Sequence, residues 1–312
     1  RGIAWVSVLK DLLLLFAAFF VGLAIPYIYF GGIGPMFAEL VRVKPSHLTM
    51  PGATSNLGHS WYISTLLLTA LGFYMWPQSF SASFTAKNAD TLRRNAVLMP
   101  FYSITMPLMF FVGLAALLVV PGLTSGDLSL LTMVRKTFPP WFLGIVGGTG
   151  ALTAMVPAAV QVLSAATLFT KNVYRPLLAR KMSDHQIART ARIMVVLMMS
   201  LAVASAVSSS LSLVSLLLLG YAGVTQFFPG VIFGLYSYRT SRAAIGAGLA
   251  TGFGSTALMV FTRNDPIMGV NAGFIGLCMN FLVVLLVRLF ASSPPGNPLY
   301  PPAVAAQTST AD

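Results

Sequence analysis

Apolar residues along this chain come in long continuous runs, with polar positions confined to the short stretches between them. A helix that crosses a hydrocarbon core of about 30 Å needs about 20 mostly apolar residues. Eight stretches meet that requirement, at roughly 8–30, 61–84, 96–120, 141–170, 193–209, 213–236, 243–261 and 270–290. Lipid offers no partner to an unpaired backbone group, so such runs must close their hydrogen bonds internally as helices. A membrane barrel would instead show short segments of alternating polarity. The pattern predicts an all-α polytopic membrane protein with eight transmembrane helices.

Composition agrees and removes competing classes. Of 312 residues, 56% are apolar and 8% charged, where a soluble domain carries about 25% charged residues. The net charge of +12 could suggest nucleic acid, but that function needs a basic patch on a soluble face. Here Lys and Arg cluster between the runs, so no nucleic-acid partner is expected. The single cysteine, Cys278, lies within a run, which leaves no disulfide framework and no cysteine metal site. No metal or cofactor is expected.

Basic residues favour the cytoplasmic side of a membrane. With the first end inside and eight alternating spans, the inner side receives Arg1, Lys10, Lys87, Arg93, Arg94, Lys171, Arg175, Arg180, Lys181, Arg189, Arg192, Arg239, Arg242 and Arg288. The outer side receives Arg42, Lys44, Arg135, Lys136 and Arg263, a division of 14 against 5. That places both ends in the cytoplasm, in a multi-pass protein of the plasma membrane such as a bacterial inner membrane. The long outer loop 31–60 contains a stretch, 35–43, that suits a short interfacial helix. Residues 1–290 form the transmembrane domain. The tail 291–312, rich in Pro, Ala, Ser and Thr without periodicity, reads as disordered. A start at Arg1 followed at once by a near-span reads as part of a longer protein.

Ionisable groups inside a membrane mark ion pathways, and these spans hold almost none. Of Asp11, Glu39, Asp90, Asp127, Asp184, Asp265 and Asp312, Asp11 alone falls in a span, near its inner end. His47, His59 and His185 lie in loops and read as surface histidines. No nucleophile has a base beside it, so no enzyme is expected. The remaining signal is helix discontinuity. Gly72 and Pro77 stand five apart in the second run, with Phe73, Tyr74 and Trp76 between them. Proline removes an internal hydrogen bond and collides with the preceding turn. Unwound segments between half-helices are how many transporters bind solutes, yet a proline kink packed by its neighbours explains the same residues equally well. Pro157 in the fourth run and Pro229 in the sixth predict two more interruptions. Ala244, Gly248 and Gly252 fall four apart, a spacing that close helix packing explains without function.

Several segments together resemble the solute:sodium symporter family. They are Arg1–Asp11, Gly72–Ala86 with Pro77 ahead of a Phe-x-x-x-Phe-x-Ala segment, Ser164–Tyr174, Gly223–Gly234, and Gly273–Val284 with Asn280. The resemblance implies a leucine-transporter-type fold of two inverted five-helix repeats and alternating access. On that basis the chain holds core helix five, the second repeat and two following helices, a partial inverted-repeat fold. The first core helices, including one of the two broken ones, are missing from it. The resemblance places Gly72, Phe73, Tyr74, Met75, Trp76, Gln78 and Tyr221 against the solute.

Two positions depart from the family pattern. Trp5-Val6-Ser7 stands where Trp-Thr-Asp is usual, and Val156 and Pro157 stand where two hydroxyl residues help to bind sodium. Thr153, one turn earlier, and carbonyls freed by Pro157 are substitutes, since a hard cation needs several oxygens. The coupling ion is therefore sodium or proton. The Phe-Tyr-Met-Trp-Pro-Gln-Ser-Phe stretch is similar to the monocarboxylate-permease branch, which implies a small organic acid as solute. Alternatives are a sodium-coupled amino-acid or sugar symporter, or a membrane sensory module of the same fold. The expected partners are a small solute and the lipid bilayer; the sequence leaves the oligomeric state open.

Overall fold

The computed structural model describes residues 2–50, 57–208, 211–237 and 240–290. Side chains are described from Ser7 onward, so Trp5 and Val6 of the departing motif lie outside them, as do Arg1, Arg239 and the tail 291–312. The described residues are helical, with no strand and one isolated bridge, Ile267 to Val270. Seven helical segments are long and apolar enough to cross a membrane: Ser7–Phe30, Ala89–Val119, Pro140–Leu178, Asp184–Ser208, Leu213–Tyr236, Arg242–Phe261 and Ala272–Phe290. Their outer faces leave large apolar side chains bare, such as Leu201, Phe261 and Leu289. That is the surface of a multi-pass membrane protein, for which lipid and not water is the solvent.

The second expected run falls short of a continuous span. It divides into α3 (His59–Gly72), a 3-10 turn at Phe73–Met75 and α4 (Pro77–Thr85). The other helices are α1 (Gly2–Phe30), α2 (Ile33–Val43), α5 (Ala89–Tyr102), α6 (Thr105–Val119), α7 (Ser129–Thr137), α8 (Pro140–Phe169), α9 (Arg175–Leu178), α10 (Asp184–Ser208), α11 (Leu213–Val224), α12 (Phe227–Tyr236), α13 (Arg242–Phe261) and α14 (Ala272–Phe290).

The chain divides into two compact units. The first comprises residues 1–49 and 77–213. Its core is formed where α1, α2, α6, α7 and the start of α8 meet, with Val21, Ile25, Met36, Leu40, Val112, Met133 and Val134 fully buried. The helix expected at 35–43 is present as α2, but Met36 and Leu40 turn its apolar face into this protein core. Tyr29 of α1 and Thr137 of α7 share a hydroxyl–hydroxyl hydrogen bond at 3.1 Å. Asn88 caps α5 by accepting from Thr91 N at 2.9 Å.

The second unit comprises residues 50–76 and 214–312. In it α13 packs along α14 through the small residues singled out above. A Cβ at Gly248 would stand 2.4 Å from Val284 Cγ2, and one at Gly252 2.9 Å from Asn280 Cβ. The four-residue spacing is thus a packing seam. Asn271 precedes α14 and joins it to α3: its N–H donates to Ser64 Oγ and its amide to Thr65 Oγ1, both at 3.0 Å. Its own Oδ1 accepts from Gly273 N at 2.9 Å.

Candidate functional site

Three of the helix breaks lie four residues before a proline, whereas Pro26 in α1 and Pro100 in α5 interrupt nothing. A proline ring displaces the carbonyl four residues earlier, and proline donates no hydrogen bond of its own. Counting back four from Pro77 gives Phe73, the first residue of the 3-10 turn. Trp76, the residue before the proline, is extended at φ −62° and ψ 132°, as the proline ring requires of its neighbour. Four back from Pro229 is Thr225, and α11 ends at Val224. Four back from Pro107 is Ser103, in the gap between α5 and α6.

Pro157 behaves differently and corrects an expectation. Helix α8 runs unbroken from Pro140 to Phe169 with Pro157 inside it. Alanines at 151, 154, 158 and 159 surround this proline, and alanine is the strongest helix former. Pro77 and Pro229 sit instead among glycine, threonine and aromatic residues. Thr153 Oγ1 donates back along α8 to Thr149 O at 2.8 Å, Val156 is half-buried and Pro157 exposed. Among these three positions, the hydroxyl of Thr153 is the single side-chain oxygen.

The expected solute-facing residues divide between the units. Gln78 belongs to the first, as do Thr153, Val156 and Pro157. The Oε1 of Gln78 is buried without a hydrogen-bond partner. Gly72, Phe73, Tyr74, Met75, Trp76 and Tyr221 all belong to the second, where the fold brings most of them together. Phe73 and Tyr74 meet edge to face, 5.2 Å between ring centroids. Trp76 and Tyr221, 145 positions apart in the chain, meet edge to face at 5.4 Å and 88°. Tyr74 is exposed, and Phe73, Met75, Trp76 and Tyr221 are half-buried.

Two glycines permit this approach. A Cβ at Gly72 would lie 2.0 Å from Thr225 Oγ1 and 3.0 Å from Tyr221 Cδ1. A Cβ at Gly220 would lie 2.7 Å from Trp76 Cη2, so the indole rests on the backbone of α11. The carboxylate count is equally telling. Among the described residues of this unit Asp265 is the one acid, and it is occupied in accepting from Ala272 N at 3.0 Å. The break therefore offers aromatic faces and backbone groups, with no negative charge.

Thr225, Gln226 and Gly220 are site neighbours that the sequence alone did not single out. The signal for the first was Pro229, read four residues back.

The sodium:solute symporter family profile matches residues 1–252. The chain belongs to this family. It is 38% identical to an uncharacterized symporter, YhjB, of Bacillus subtilis over 93% of its length and 61% of the relative's. With a second uncharacterized symporter of that organism, YodF, it shares 31% identity over 96% of this chain and 60% of the relative. A monocarboxylate transport permease protein of Rhizobium johnstonii is 28% identical over 92% of this chain and 61% of the relative. The chain thus spans about three fifths of the length of these curated relatives. The family and these relatives are transporters.

Proposed function

We propose that this chain is part of a secondary transporter that moves a small monocarboxylate across the plasma membrane by alternating access. The observation that carries the reading is the interruption at Phe73–Trp76, a 3-10 turn and one extended residue that divide an otherwise apolar helical run. Counting α3 and α4 as the two halves of one crossing gives eight crossings, with both ends cytoplasmic, as the distribution of Lys and Arg favours. On this reading the fold is of the leucine-transporter type, holding its second repeat, and residues 1–290 are one transmembrane domain.

Gly72, Phe73, Tyr74, Met75, Trp76, Gln78 and Tyr221 contact the solute. The carboxylate is held by freed backbone N–H groups, since an anion is stabilised where donors lack partners and no acid competes. The unpaired Oε1 of Gln78 is a hydrogen-bond acceptor for a hydroxyl on the solute. The permease name of one relative supports the same solute class.

Transport is coupled to a cation, sodium or proton. Family membership favours sodium, whereas Val156 and Pro157 lack the oxygens that a sodium site draws upon. Thr153 and the carbonyl freed by Pro157 are the local ligands on offer. The test is uptake of pyruvate, lactate, proline and glucose into proteoliposomes holding the whole protein that carries this chain, with sodium and proton gradients imposed separately. Accumulation of the two acids under one gradient is expected. Accumulation of glucose or proline without either acid would overturn the solute assignment.

A further inference from the structure

Tyr221 and Trp76 owe their positions to the joint between α11 and α12. At this joint Gln226 N bonds Gly223 O at 3.1 Å in a 3-10 turn, which leaves Ala222 O without its α-helical donor. The side chain of Gln226 supplies the replacement, its Nε2 donating to Ala222 O at 3.1 Å. The same amide donates to Gly273 O at 3.0 Å, at the start of α14. Asn280, further along α14, returns its amide to the backbone carbonyl of Gln226 at 2.8 Å. Gly252 of α13 makes room for this, because a Cβ there would stand 2.3 Å from Gln226 Oε1.

Thr225 ties the same joint to a different element. Its hydroxyl donates to Leu68 O, in the last turn of α3, at 3.1 Å. Gly72 allows the approach, as described above. Both Thr225 and Gln226 are fully buried, where an unpaired carbonyl or amide is costly and a satisfied one is held firmly. Tyr221 lies one turn before Thr225, and its carbonyl accepts from Thr225 N at 3.0 Å. The ring of Tyr221 leans on Gly72, and Trp76 leans on Gly220.

We propose that Thr225 and Gln226 are positioning residues that hold the α11–α12 joint between α3 on one side and α13–α14 on the other, and so set Tyr221 edge-on to Trp76. The proposal rests on the reading of that aromatic pair as solute-facing, but its first test needs no solute. Loss of the Thr225 hydroxyl frees α11 to slide on α3, and Tyr221 moves with it. Loss of the Gln226 amide leaves Ala222 O unpaired, removes a second donor from Gly273 O and so loosens the joint from α14.

Replacing Trp5, Trp61, Trp141 and any tryptophan of the protein outside this chain with phenylalanine leaves Trp76 as the sole tryptophan, whose emission maximum and near-ultraviolet circular dichroism report on its contact with Tyr221. Thr225→Val keeps the shape and removes the hydroxyl; Thr225→Ser keeps the hydroxyl. The expected result is a shifted Trp76 emission and a weakened dichroic band in Thr225→Val and Gln226→Leu, with the parent spectra restored in Thr225→Ser. If Thr225→Val does not fold, Gly72→Ala and the pair Gly72→Ala/Thr225→Ala decide. The single change places a Cβ 2.0 Å from Thr225 Oγ1, whereas Thr225 Cβ is 3.2 Å away and can yield. The pair removes that clash but also the hydroxyl, so it is expected to fold and still to show the shifted emission and weakened band; parent spectra in the pair would overturn the role of the hydroxyl. In vesicles, Thr225→Val is expected to raise the KM for the transported acid about 3- to 10-fold, the equivalent of one hydrogen bond, with little change in maximal rate. Unchanged Trp76 spectra in Thr225→Val and Gln226→Leu, with thermal stability alone reduced, would overturn the proposal. Altered spectra with unaltered KM would keep the positioning role and overturn the solute-facing reading of the pair.

Discussion

Gly276→Ala offers a quantitative test of the α13–α14 seam. A Cβ at this position would lie 2.0 Å from Thr256 Oγ1 and 2.8 Å from Gly252 O. The threonine hydroxyl can rotate aside, but the Gly252 carbonyl belongs to the backbone of α13, so the two helices must part by several tenths of an ångström. Overpacking of this kind costs about 1–3 kcal/mol, while alanine gains about 1 kcal/mol over glycine within a helix. Gly246, on the same helix as Gly252, faces open space within 4 Å. Gly246→Ala therefore receives the propensity gain without the clash. The difference between the two variants isolates the overpacking, about 1–3 kcal/mol, at roughly 2–4 °C per kcal/mol. The assay is the fraction of protein that stays monodisperse after heating in detergent, read by size-exclusion chromatography. A midpoint for Gly276→Ala equal to or above that of Gly246→Ala would refute the packing argument.

Three further outcomes are expected. Asn271→Ala removes the cap on Gly273 N and the bond to Thr65 together, a loss of about 2 kcal/mol that lowers the same thermal midpoint by several degrees; an unchanged midpoint would contradict the buried bridge from α3 to α14. Val156→Ser restores an oxygen on α8 and is expected to lower the sodium concentration for half-maximal uptake; an unchanged sodium dependence would place the ion's ligands elsewhere. In α2 the Arg42 guanidinium donates to Glu39 at 2.9 Å and holds that carboxyl below its ordinary range. A lowered folded pKa means stability present above the ordinary value near ~4.3 and lost as pH falls through the lowered one. Glu39→Gln is thus expected to cost a little stability at neutral pH, and nothing once the pH is low enough to protonate the carboxyl in the folded protein. A cost that persisted at that low pH would point to packing instead of charge.

Helix type was legible in the sequence because lipid imposes one rule on every crossing. Seven of the eight expected runs are helical segments of spanning length, and the eighth failed to be continuous at the place where Gly72 and Pro77 flagged it. Proline position alone misled at Pro157, which lies inside a continuous helix as Pro26 and Pro100 do. Composition could not foretell the inward face of α2, since Met36 and Leu40 look the same whether they meet lipid or protein. The candidate site was half legible. The run from Gly72 to Trp76 is local, and its aromatics announce it. The contact of Trp76 with Tyr221 joins residues far apart in the chain, and family resemblance, not periodicity, singled out Tyr221. Gln226 and Thr225 were hidden for a different reason. A buried polar residue inside an apolar run betrays itself only when its partners, here Leu68 O, Ala222 O, Gly273 O and Asn280, are known.

The central proposal is that solute meets the turn at Phe73–Trp76 that ends α3. Its most direct measurement is alkylation of a cysteine placed at the exposed Tyr74, in a background where Cys278 and any cysteine of the protein outside this chain are alanine, with Ser46→Cys, in the exposed turn Pro45–His47, as the reference. With whichever small acid the vesicles accumulate, saturating solute is expected to slow labelling at position 74 and to leave position 46 unchanged. Equal labelling rates at position 74 with and without that solute would contradict the account.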